Sequence, residues 1–133
     1  MKIEELYIEN FRGIHKLEVK DLAYLNVIAG LNGAGKSSVL TAIKTLLSWL
    51  IARIRNQKGN GISIKDKDIT NGKNYCLFRI RLDNGVEWQL YKQHSKCRAK
   101  AEYKTELSKM NAFANELAEG LGQDAPTDLP LID

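Results

Sequence analysis

Proline and cysteine are both scarce. The 133 residues hold two of each, and both prolines, Pro126 and Pro130, come late. Helix and strand can therefore run through the first 125 residues without a proline break. Cys76 and Cys97 are too few for a disulfide framework or a four-cysteine zinc site. A chain of this length can bury a core without covalent staples, and few thiols suit a reducing, cytoplasmic setting. No run approaches the roughly 18 uninterrupted apolar residues of a membrane span, which argues against a membrane partner. Met1-Lys2-Ile3-Glu4-Glu5 carries acids where a secretion signal needs a basic and then apolar run. His15 and His94 are the two histidines, far apart and without cysteines at metal-ligand spacing. No catalytic triad or paired-carboxylate site stands out, and there is no internal repeat or low-complexity stretch.

What is present is a balanced globular composition. Hydrophobic residues make up 44% and charged residues 27%, which excludes disordered and collagen-like chains. The net charge of +4 is unevenly placed: residues 105–133 carry −5, leaving +9 on residues 1–104. An electropositive body suits a phosphate-bearing partner.

The apolar pattern lays out the elements. Lys2 to Glu9 reads as a strand around Ile3, Leu6 and Ile8, closed by a turn at Asn10-Phe11-Arg12-Gly13 in which Gly13 can take positive φ. His15 to Lys20 alternates, with His15, Leu17 and Val19 on one face, as in a half-buried strand with His15 at its surface. Tyr24 to Ala29 is nearly all apolar, the pattern of a strand buried on both faces. From Lys36 to about Gln57, Val39, Leu40, Ile43, Leu46, Leu47, Leu50, Ile51 and Ile54 recur at helical spacing, and Gly59-Asn60-Gly61 ends the helix. Residues 75–93 read as a hairpin. A two-residue loop would set Leu82 against Glu87. The three-residue loop Asp83-Asn84-Gly85 instead pairs Ile80 with Trp88, Phe78 with Leu90 and Arg81 with Glu87, so that loop is predicted, with Gly85 left-handed. A second helix is predicted over about 102–119, where Tyr103, Leu107, Met110, Ala114 and Leu117 step by four and three, packed on a core rather than forming a coiled coil. Trp49 and Trp88 read as packing residues.

The chemistry concentrates at one place. Gly30-Leu31-Asn32-Gly33-Ala34-Gly35-Lys36-Ser37 fits G-x-x-x-x-G-K-[ST] at every fixed position, between a buried strand and an amphipathic helix. Glycines let successive N–H groups curl toward phosphate oxygens. The helix start adds a partial positive charge and Lys36 a full one. The Ser37 hydroxyl can hold a Mg²⁺ that bridges the terminal phosphates. The candidate nucleotide-binding residues are therefore Asn32, Gly33, Ala34, Gly35, Lys36 and Ser37, with Ser38 a weaker one, and ATP with Mg is the expected cofactor. A second basic feature, Lys92, Lys96, Arg98, Lys100 and Lys104, could neutralise phosphates of DNA.

Ile8-Glu9-Asn10-Phe11-Arg12-Gly13-Ile14, followed by Asn26 to Ser38, resembles the N-terminus of ABC-type ATPases of the RecF, SMC and OLD kind, the AAA_23 group. Asp68-Ile69-Thr70-Asn71-Gly72 and the hairpin after it also look like that group. The group includes DNA-repair ATPases and ATPase subunits of anti-phage systems such as the Septu protein PtuA. The resemblance implies an α/β P-loop NTPase lobe with an antiparallel hairpin lobe beside it. It implies a nucleotide-proximal or DNA-facing role for Arg12. It further implies DNA as a partner and either homodimerisation or association with the rest of an ATPase. In such ATPases a signature Ser-Gly segment and a strand ending in Asp-Glu follow the P-loop. Neither can be found, and Leu129 to Asp133 contains a proline and lacks the glutamate. The expectation is an incomplete N-terminal portion, P-loop at 30–37, that binds ATP but hydrolyses it poorly alone. A non-enzymatic DNA-binding or assembly module is the alternative, and a small-molecule kinase is a weaker third because no acidic base or lid arginines are in place.

Overall fold

The computed structural model describes residues 2–20 and 33–121. The expected strand Tyr24–Ala29, the loop residues Gly30 to Asn32 and the tail Leu129–Asp133 lie outside them. Four strands, β1 (Ile3–Phe11), β2 (Ile14–Lys20), β3 (Tyr75–Leu82) and β4 (Glu87–Gln93), form one antiparallel sheet in the order β2-β1-β3-β4. Two helices, α1 (Gly33–Arg55) and α2 (Ser108–Leu121), pack on the sheet and on each other. This makes an α/β two-layer arrangement.

Period-two alternation explains the sheet's inner face. Val19, Leu6, Ile80 and Trp88 form one cross-strand row, and Leu17, Ile8, Phe78 and Leu90 the next. Most of these side chains are buried. The hairpin takes the register that the apolar pattern requires, and Gly85 closes it at φ 88°. Arg81 lies opposite Glu87, but its guanidinium pairs with Glu4 and Glu5 at 3.0 and 2.9 Å, while Glu87 pairs with Arg79.

Helix α1 buries Val39, Ala42, Ile43, Leu46, Leu47 and Leu50 against this face. The Trp88 indole N–H donates to the Leu46 carbonyl at 3.1 Å and ties sheet to helix. Residues Gly35–Arg55 are long and apolar enough, by length and composition, to cross a membrane. The stripe just named puts them in the core of this fold instead. The helix opens at Gly33, three residues before the predicted start, and stops at Arg55, two before the predicted end. There Arg53 donates to the Gly59 carbonyl and to Asn111 on α2, fixing the turn that leaves the helix.

Two expectations are corrected. Around the β1–β2 turn, positive φ falls on Asn10 (59°), near the end of β1, and on Arg12 (54°), not on Gly13. The backbone there is held by distant partners: Arg12 N–H donates to the Asp68 carbonyl at 2.7 Å and Thr70 N–H to the Asn10 carbonyl at 3.0 Å. These bonds set the conformation and outweigh the local preference for glycine. Helix α2 begins at Ser108 rather than near 102. Residues 104–106 are drawn to the open edge of β4, where Glu106 exchanges two backbone hydrogen bonds with Gln89 and the Thr105 hydroxyl accepts from Tyr91 N–H. Pairing that edge satisfies backbone groups that an earlier helix start would leave open.

The segment after β4 also covers part of the outer face. The Tyr103 ring lies 5.8 and 6.2 Å from those of Tyr75 and Tyr91, and Leu77 is buried on that face. Tyr7 and Tyr75 both donate their hydroxyls to the Glu9 carboxylate, and burial together with that bond pushes both phenols upward in pKa.

Candidate functional site

The described part of the glycine-rich motif forms the first turn and a half of α1. Gly33 starts the helix with no heavy atom near the position a Cβ would take. Ala34 and Gly35 follow, then Lys36 and Ser37, both exposed. The Ser37 carbonyl accepts the Thr41 hydroxyl at 2.8 Å, inside the helix, and its own hydroxyl is on an exposed residue. Ser38 is 5% exposed and begins the buried stripe. A helix start carrying glycines, an exposed lysine and an exposed hydroxyl supplies N–H donors, a cation and a hard oxygen ligand together. This donor set fits a phosphate chain with Mg²⁺. Asn32 lies outside the described residues.

Arg12 sits on a different element, the β1–β2 turn. Its Nε donates to Asp68 Oδ1 at 3.2 Å, and its guanidinium lies 4.8 Å from the centroid of its neighbour Phe11's ring. The Thr70 hydroxyl donates to its carbonyl at 2.8 Å. Among the described residues, the side chain and backbone of Arg12 contact Phe11, Asp68 and Thr70. Asp68 closes a short 3-10 turn, Asp66–Asp68, followed by buried Ile69, which bridges to Phe11. In the sequence, Asp68 to Gly72 stands out only through the family resemblance. Its pairing with Arg12 spans 56 residues, and no local pattern reveals it.

The basic segment is partly tied down. Asp66 accepts from Ser95 N–H at 3.2 Å and from the Ser95 hydroxyl, with Lys92 Nζ at 3.4 Å. The Ser95 hydrogen bonds, helped by the Lys92 ammonium, hold the Asp66 carboxyl below the usual carboxylate range. Lys96, Arg98 and Lys100 are exposed. Two cavities of about 400 and 440 Å³ flank this segment and share Gly72, Lys73, Asn74 and Cys97. No group of three or more His, Cys, Asp or Glu among the described residues could hold a metal ion.

Comparison with known proteins follows the same lines. A family model described as an AAA domain (AAA_23) matches residues 5–133, and the chain belongs to that family. Within it, the chain corresponds to the N-terminal part of a RecF/SMC/Rad50-like ATPase. It is 29% identical over 85 residues to a retron Ec83 probable ATPase of Escherichia coli, covering 62% of this chain and 16% of that protein. It is 29% identical to the DNA double-strand break repair Rad50 ATPase of Pyrococcus abyssi, over 92% of this chain and 16% of that one. A 46-residue stretch is 37% identical to the DNA replication and repair protein RecF of a Thermoanaerobacter species, covering 35% of this chain and 13% of that protein. The chain thus spans about a sixth of the length of the first two of these relatives.

Proposed function

We propose that the chain is a nucleotide-binding segment of a RecF/SMC/Rad50-like ATPase that takes Mg-ATP at the start of α1. Asn32 to Ser38 surround the phosphates, Lys36 neutralises them, and Ser37 holds the metal, with Arg12 as a second cation. Bound Mg²⁺ would neutralise charge on the terminal phosphates. The chain's own residues bind and orient the phosphate chain; the groups that place an attacking water are not found in this sequence. Turnover by the chain alone is accordingly expected to be slow. DNA metabolism is the proposed setting on the strength of the relatives' names; anti-phage defence is the alternative that the sequence resemblance suggests, and a cytoplasmic location is proposed from the scarcity of cysteine.

The observation that carries this reading is the motif Gly30–Ser37 running into a helix whose first turn presents exposed Lys36 and Ser37. Titration with a fluorescent ATP analogue tests it. Lys36→Ala is expected to weaken binding at least roughly tenfold, since charge-assisted phosphate contacts are among the strong ones. Chelating Mg²⁺ should also weaken it. Equal affinity in both proteins would sink the proposal.

A second reading, a DNA-binding or assembly module, draws on exposed Lys96, Arg98 and Lys100 beside the two cavities. It requires salt-dependent DNA binding that falls when these three become alanine.

A further inference from the structure

We propose that the outer edge of β2 is a self-association surface. A second copy of this chain adds its own β2 there, antiparallel, and carries the sheet across a two-fold axis at Leu17. The inference does not depend on the nucleotide reading. It starts from a difference between the two edges of the sheet. In the order β2-β1-β3-β4, the β4 edge is covered: Gln89 exchanges backbone hydrogen bonds with Glu106, and Tyr91 N–H donates to Thr105. Among the described residues, no backbone hydrogen bond leaves β2 on the side away from β1. Such an edge offers a row of donors and acceptors to another strand. The helices sit toward the other side of the sheet, α1 on β3 and β1, α2 on β4 and α1.

The side chains of β2 decide which strand fits. Phe11 and Ile14 close a two-residue turn. By the antiparallel alternation, the backbone groups of Ile14, Lys16, Glu18 and Lys20 then turn toward β1, and those of His15, Leu17 and Val19 turn outward. His15, Leu17 and Val19 share the inner face, while Lys16, Glu18 and Lys20 stand exposed on the outer one. Directly opposed residues of paired strands share a face. A two-fold axis at Leu17 sets Leu17 against its own copy, His15 against Val19, and Lys16 against Glu18. The charged pairing occurs twice, once on each side of the axis, as a self-complementary contact requires. It falls at non-hydrogen-bonded positions, where Cα atoms come within about 4.5 Å and side chains meet most closely. On the inner face Leu17, which already packs against the core, gains a further apolar neighbour.

Other registers are excluded by the same residues. An axis at Glu18 sets that carboxylate against its copy and Lys16 against Lys20. An axis at Lys16 sets two lysines together. An axis between residues puts Leu17 opposite a charge. Charges on an edge strand discourage pairing with most sequences, but the alternation here admits its own sequence in one register. The present partners of these charges are easily exchanged. Glu18 pairs with Lys20 at 3.4 Å with both side chains exposed, and Lys16 Nζ lies 6.0 Å from the centroid of the Tyr7 ring.

Sedimentation velocity on the 133-residue chain, without nucleotide, tests the pairing. The mass is expected to rise with concentration from 15.0 kDa toward twice that value, and to rise less at high salt. Glu18→Lys and Lys16→Glu each make both cross-axis pairs repulsive, and each should weaken association roughly tenfold. Mixing these two variants restores both attractions, so the mixture should form a heterodimer. The double variant Lys16→Glu/Glu18→Lys should associate like the unaltered chain. A chain that stays monomeric at every concentration overturns the proposal and marks an edge that another segment covers. So does association that the single variants leave unchanged, or a loss that neither mixing nor the double variant repairs. Should the variants fail to fold, amide exchange at His15, Leu17 and Val19 of the unaltered chain decides. Exchange that slows as concentration rises supports the pairing, and exchange independent of concentration overturns it.

Discussion

The two cysteines show how much a residue's setting changes its chemistry. Cys76 is fully buried on the inner face of β3, and that burial pushes its thiol well up from the ordinary value. Cys97 is partly exposed, in the segment after β4, and lines both cavities. The thiolate is the reactive form, so Cys76 should be inert until the sheet opens. A thiol-specific disulfide reagent added to the folded chain is expected to modify one cysteine quickly. The second should react only as the chain unfolds. Simultaneous reaction of both under native conditions would contradict the placement of Cys76. Arg12 makes the same point about setting. Its motif neighbours suggest a role, but its partner Asp68 and its positive φ come from contacts 56 residues away, which no local rule supplies.

Elements were legible where pattern and packing agree. The register of β3 and β4 follows from pairing Phe78 with Leu90 and Ile80 with Trp88, because a slip of one residue would turn every apolar side chain outward. Gly85 carries the cost of that register. It sits at φ 88°, donates its N–H to the Leu82 carbonyl at 3.0 Å, and Val86 returns a carbonyl to Leu82 N–H at 2.9 Å. A Cβ at this position meets no heavy atom, so the penalty for Gly85→Ala is conformational and not steric crowding by neighbours. It should cost about 1–2 kcal/mol, as for other L-residues forced into the left-handed region. A urea titration checks this, and an unchanged midpoint would mean that the turn relaxes. The stretch 102–107 was less legible. Tyr103 and Leu107 fit a helical seam, yet Thr105 and Glu106 pair with β4, because the open strand edge offers backbone partners that spacing alone does not register. The glycine-rich motif stands out because its pattern is local, and its described part, from Gly33, opens α1. The Asp66–Asp68 turn does not, since its importance lies in what it touches.

At the scale of the molecule, one side chain joins the layers. Trp88 is 1% exposed, pairs across the sheet with Ile80, and hydrogen-bonds through its indole to the backbone of α1 at Leu46. Helix α2 packs on both β4 and α1, so the same corner supports all three. Removing that ring leaves a cavity that neither the sheet nor two crossing helices can readily close, and it strands the Leu46 carbonyl, which is already bonded within the helix, without its second donor. Trp88→Ala is expected to cost about 3–5 kcal/mol, the range for large aromatic deletions in cores. That is a large fraction of the roughly 5–15 kcal/mol that holds a typical domain together. Trp88→Phe, which refills most of the space but cannot donate, should cost less, and the difference between the two separates packing from the hydrogen bond. Chemical denaturation of both variants measures it. The consequence for the proposed site is direct: α1 carries Gly33 to Ser38 in its first two turns, so whatever fixes the helix to the sheet also fixes the proposed phosphate donors. Trp88→Ala should therefore weaken Mg-ATP binding as well as stability, whereas Lys36→Ala should weaken binding and leave the denaturation midpoint of the nucleotide-free chain almost unchanged. If Trp88→Ala unfolds more easily but binds Mg-ATP with unaltered affinity while still folded, the nucleotide site does not depend on the packing of α1 against the sheet.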